Sequence, residues 1–148
     1  MKVSECMTWD VLIADPDQSI GDAAKAMLDV DIGVLPVGKN DRLVGMITDR
    51  DIAVRGVAEG LGPTGRVRDV MSPEVMYCFE DQQIDEVLDN MCEIKIRRMP
   101  VLDRSKRLVG IVSLSDLVAK AKADGHAAKS GMTLSAITEP GGAHSQTP

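Results

Sequence analysis

The chain has 148 residues, 44% of them apolar, which suits one compact domain or two small units sharing a core. Only 2% are aromatic (Trp9, Tyr77 and Phe79), so the core must be built from Val, Ile, Leu, Met and Ala. The net charge of −6 argues against nucleic-acid binding, and no apolar run approaches membrane-spanning length. The three scattered cysteines, Cys6, Cys78 and Cys92, read as reduced thiols of a cytoplasmic protein, and with only His126 and His144 beside them they make a poor zinc site.

In chain order, residues 11–14 (VLIA) form a short apolar run that reads as a strand. DPDQS is a turn in which Ser19 caps a helix, and Ile20, Ala23, Ala24, Met27 and Leu28 recur at helical spacing over 20–30. GVLPVG and LVGMIT read as two strands joined by the polar turn KNDR, and residues 49–59 as a second helix. GLGPTG at 60–65 reads as a joint. The same order then returns at 75–78, 84–94, 99–102, 108–112 and 114–123. From Gly125 a small, polar tail is expected to be flexible.

The recurrence is a duplication. KVSECMT at 2–8 matches RVRDVMS at 66–72, an offset of 64 that runs through Asp17 and Asp81, Met27 and Met91, and Pro36-Val37 and Pro100-Val101. One residue is inserted in the turn LDRSKR, after which RLVG at 42–45 matches RLVG at 107–110 and Asp51 matches Asp116. The fold class is therefore α+β, a β-α-β-β-α unit written twice, at 1–60 and 66–124, with a tail at 125–148. One such unit cannot cover both faces of its sheet, so the copies are expected to pack sheet to sheet about a pseudo-twofold axis, leaving two equivalent clefts.

Each copy ends on a matched phrase, GMITDRDI from Gly45 and GIVSLSDL from Gly110. Thr48-x-x-Asp51 and Ser113-x-x-Asp116 both fit a helix capping box. The same atoms also suit a ligand. A helix start offers N–H groups and partial positive charge to a phosphate, and an Asp one turn in can accept from a ribose diol. The Gly three residues before the hydroxyl permits close approach of a ligand or of a neighbouring backbone. The cap and the ligand site are compatible readings.

The doubled unit resembles a tandem pair of CBS (cystathionine β-synthase) domains, a Bateman module. The likeness rests on VSECMT and VRDVMS opening the repeats, IGVLPV and IRRMPV within them, and LVGMITDRDI and LVGIVSLSDL closing them. It implies an adenosine ligand in each cleft: AMP, ADP or ATP, with NAD or S-adenosylmethionine as further possibilities and magnesium left open. Asp51 and Asp116 would take the ribose hydroxyls. Thr48 and Ser113 would approach phosphate or ribose, with Arg50 and Ser115 nearby. The base side of the Asp116 cleft would use Thr8, Leu12 and Ile32, and that of the Asp51 cleft Ser72, Met76 and Ile96. Arg97 and Arg98, with Gly33 and Val34 in their places in the first copy, would serve phosphate from one copy only.

The resemblance further implies a regulatory module, not an enzyme, that forms a flat homodimer through helices such as 20–30 and 84–94 and acts on a partner protein. The alternative is a structural or interaction module whose clefts stay empty.

Overall fold

In the computed structural model Ser19 Oγ accepts from the Asp22 N–H at 3.0 Å and opens helix α1, Ile20–Val30. Residues 1–123 are described, and the expected tail from 125 lies outside them. Ile20, Ala23 and Met27 are buried along one face of α1, whereas Leu28, which shares the apolar spacing, is 74% exposed. The helix stops at Asp31 in the left-handed conformation, and α3 below stops at its counterpart Lys95 in the same way.

Strands β1 (Val34–Lys39) and β2 (Arg42–Thr48) pair antiparallel across Asn40 and Asp41, both at positive φ (51° and 64°), the backbone a tight hairpin turn requires. The expected strand at 11–14 is not there. Only Ala14 forms a bridge, parallel to Val37, while Leu12 and Ile13 are exposed. The helix expected over 49–59 begins at Asp49 but is wound as a π-helix at Asp51–Gly56 and a 3-10 turn at Val57–Glu59. The 60–65 joint does structural work at α1: the carbonyls of Gly65 and Pro63 accept from the first-turn N–H groups of Ile20 (2.7 Å) and Gly21 (2.9 Å). A short helix α2, Val67–Val70, buries Val67 and Val70, and Ser72 then bridges to Met46 on β2. Outside this core the Asp17 carboxylate pairs with Arg68, Arg66 and Lys39, and chiefly the Arg68 hydrogen bond holds it below the usual carboxylate range.

These residues, Leu12–Val75, make one compact unit around Ile20, Leu35, Val37, Ile47, Val67 and Val70. The other unit joins Met1–Val11 to the described residues from Met76. The units therefore trade opening segments relative to the sequence repeats: the first repeat's opening lies with the second repeat's strands, and the reverse.

In that second unit the expected strand at 75–78 is reduced to β3, Cys78–Phe79, parallel to β4 (Arg98–Leu102). β4 pairs antiparallel with β5 (Leu108–Ser113). The inserted residue is absorbed in their turn, where Asp103 Oδ1 accepts from the N–H groups of Ser105 and Arg107, both at 2.9 Å. Helices α3 (Ile84–Ile94) and α4 (Leu114–Ala123) bury Ile84, Leu88, Met91, Leu114 and Leu117 on one core with Met99, Val101 and Val112. From the opening segment, Val3 is buried in this core and Thr8 bridges to Ile111 on β5. Burial pushes the Cys78 thiol up to about 12, so it packs as an apolar side chain and offers no thiolate at neutral pH.

Candidate functional site

Both units build the same frame at the helix that follows the last strand. The strand ends in the hydroxyl residue, and a carbonyl from the β-strand approach holds the next residue: Gly33 O accepts from Asp49 N–H at 2.9 Å, and Arg97 O from Leu114 N–H at 2.7 Å. The repeated glycine serves the backbone. A Cβ on Gly45 would stand 2.8 Å from Ser72 O and 2.8 Å from Met71 Sδ, and one on Gly110 2.6 Å from Thr8 O and 3.0 Å from Met7 Sδ. Of the two uses open to these glycines, close approach of the opening segment is the one the structure realises. It puts Ser72 beside the strand leading to Thr48, and Thr8 beside the strand leading to Ser113.

The side chains then diverge. In the Leu12–Val75 unit the capping box is complete: Asp51 N–H donates to Thr48 Oγ1 and Thr48 N–H donates to Asp51 Oδ2, each at 3.0 Å. Both residues are buried, at 4% and 7% exposure. Asp51 Oδ1 faces Arg55 at 3.7 Å, and Arg55 Nη1 donates to Ser72 Oγ at 3.4 Å. In the other unit Asp116 N–H donates to Ser113 Oγ at 3.1 Å, but Asp116 is exposed and its carboxylate makes no reciprocal bond to Ser113 N–H among those resolved. One carboxylate is thus built into its own helix start while its counterpart faces solvent.

The remaining residues expected at the sites divide by unit. Thr8 shares a unit with Ser113 and Asp116, and Ser72 with Thr48 and Asp51. Leu12 and Ile32 belong to the unit of Asp51, and Met76 and Ile96 to that of Asp116. Ile96 is buried in its core and Ile32 packs against its own, whereas Leu12 and Met76 are exposed apolar side chains. Arg50 and Ser115 are exposed, and Arg97, just before β4, and Arg98, its first residue, are half-buried. Sequence reading missed Arg55 and Asp49. The i, i+4 spacing of Asp51 and Arg55 was a usable signal for the first. Nothing local marks the second.

The two capping arrangements should differ in stability. Thr48→Val, which removes the buried hydroxyl acceptor from the reciprocal box, is expected to cost about 1–3 kcal/mol. Ser113→Ala, with one partly exposed bond to lose, should cost less than about 1 kcal/mol. Urea denaturation of both variants checks the order, and equal losses would show that burial of the first box adds nothing.

Two small α+β units, each closing on a hydroxyl and a carboxylate at a helix start, define a duplicated module. The CBS domain model matches residues 3–56 and 67–122, and the chain belongs to the CBS domain family. It is 38% identical over 115 residues to the CBS domain-containing protein YhcV of Bacillus subtilis, covering 78% of this chain and 81% of that one. A solved structure of Hypoxic Response Protein I with two coordinated zinc ions superposes with a TM-score of 0.72 at 36% identity, covering 80% of this chain and 98% of that one. Among the described residues here, no group of three or more His, Cys, Asp or Glu side chains comes together as metal ligands. The CBS domain pair of protein MJ0100, solved with 5′-methylthioadenosine and S-adenosyl-L-methionine, superposes with a TM-score of 0.72 at 29% identity, covering 84% and 98%. No helix of the described residues is long and apolar enough to cross a membrane.

Proposed function

We propose that the protein is a regulatory module that senses an adenosine ligand of the AMP, ADP or ATP type, and not an enzyme. The observation that carries this reading is the matched pair of hydroxyl and carboxylate, Thr48 with Asp51 and Ser113 with Asp116, at a helix start in each unit. The helix start attracts a phosphate and the carboxylate suits a ribose diol. Exposed Leu12 and Met76 offer apolar surface to a flat base. The adenosyl ligands held by the MJ0100 domain pair support the same ligand class. Ligand acts by favouring the conformation it binds better, and the output is altered contact with a partner protein or with a second copy in a homodimer. Exposed Leu28 and Val30 on α1 favour such a contact, and they equally favour a plain interaction module with empty sites.

Thermal shift separates the two. A ligand at about 100 times its dissociation constant adds roughly 2.7 kcal/mol to the folded state. A panel of AMP, ADP, ATP, NAD and S-adenosylmethionine should include at least one that raises the melting temperature of the wild type, and the double variant Asp51→Ala, Asp116→Ala should lose that response. No response to any of the five leaves the interaction module. A response that survives in the double variant refutes these carboxylates as ligand groups.

A further inference from the structure

The two helix starts share their backbone frame but differ in the residues that surround it. Arg97 and Gly33 occupy the same place, each giving its carbonyl to the first N–H of the helix. In the unit of Asp116 that place carries an Arg side chain, and the residue it holds, Leu114, is buried and uncharged. In the unit of Asp51 it carries no side chain, and the space is taken by a carboxylate of the chain itself. Asp49 Oδ2 lies 2.8 Å from where a Cβ on Gly33 would stand, and Asp49 Oδ1 accepts from Arg50 N–H at 2.8 Å. An anion on the first N–H groups of a helix is what a bound phosphate would be. Here the chain supplies that anion from an exposed side chain. Asp51 adds a second negative group one residue beyond Arg50, buried and committed to Thr48 and Arg55.

We propose that Asp49 determines ligand specificity at the first repeat. Resting on the adenosine-ligand reading above, it holds the position a phosphate would take, so this half-site accepts an adenosyl ligand without a phosphate there. A phosphorylated ligand is then confined to the half-site of Ser113 and Asp116. Asp49 acts by like-charge repulsion, which vanishes when the carboxylate is neutralised, and by occupying the Arg50 N–H, which an Asn oxygen can still accept and a Leu cannot.

Calorimetric titration of the full chain with AMP and with 5′-methylthioadenosine tests this. The wild type should take one AMP per chain, and Asp116→Ala should remove it. Adding Asp49→Asn to the Asp116→Ala chain should restore AMP binding and raise the preference for AMP over 5′-methylthioadenosine by about tenfold or more, a gain that shrinks in high salt. Asp49→Leu, the residue type of the second repeat, is a second variant with the same expected direction, and melting curves show that each chain is folded. An unchanged AMP preference on neutralising Asp49, or two AMP sites of equal affinity in the wild type, overturns the assignment and leaves the adenosine reading standing. Binding of neither ligand to the wild type overturns both.

Discussion

Leu117→Ala is expected to destabilise its unit by about 2–5 kcal/mol, the largest loss of any single change considered for this chain. Leu117 is fully buried on α4, one residue beyond Asp116, in a core with Leu88, Met91, Met99 and Leu114. Truncation removes the transfer energy of its side chain and leaves a cavity. The surroundings are held by β4 and β5 on one side and α3 on the other, so collapse can fill it only in part. The helix that carries Asp116 owes its place to this packing, because a ten-residue helix has little stability of its own. Denaturant midpoints measure the loss. A change below about 1 kcal/mol would mean that α4 is not packed as described.

The second large effect falls on the repeated glycine. Gly110→Ala places a Cβ 2.6 Å from Thr8 O, a backbone atom that already accepts from Ile111 N–H at 3.1 Å, while Thr8 N–H donates to Ile111 O at 2.8 Å. The new methyl cannot be accommodated by rotating a side chain, because the obstacle is main chain. The opening segment must move off β5, straining both bonds and the Met7 packing, at a cost of about 1–3 kcal/mol. Gly45→Ala should behave alike, since Ser72 O stands 2.8 Å away and Met46 and Ser72 exchange bonds of 2.9 and 3.0 Å. Hydrogen exchange should report the loss locally, as weaker protection of Ile111 and Thr8 amides in the first variant and of Met46 and Ser72 amides in the second. Alanine at either position with wild-type protection would return these glycines to the role of admitting a ligand.

Much of the architecture is legible in the residues themselves. Helical spacing marks α1 to the residue and the duplication carries it to α3, the KNDR turn marks the first hairpin, and Ser19 is read correctly as a cap. The failures share a cause. The runs 11–14 and 75–78 look like strands because they are short and apolar, yet Leu12, Ile13 and Met76 are exposed, and only Ala14, Cys78 and Phe79 find strand partners. A strand exists only where another strand accepts its bonds, and a short run does not say where that neighbour is. The helix over 49–59 is expected from the sequence but its winding is not, for a π-turn leaves no pattern distinct from an α-turn.

The site divides in the same way. Writing one phrase twice determined that two helix starts would carry a hydroxyl and a carboxylate at capping distance, because that bond is made within four consecutive residues. Whether the carboxylate answers back depends on burial. Asp51 is enclosed and completes its box, and Asp116 is exposed and does not, although their local patterns are equivalent. Tertiary structure alone decided that each opening segment lies on the other repeat's last strand, and that Asp49 fills the space that Arg97 marks in its sister unit. Contacts of that kind join residues far apart in the chain, where no spacing rule applies and close packing chooses the neighbours.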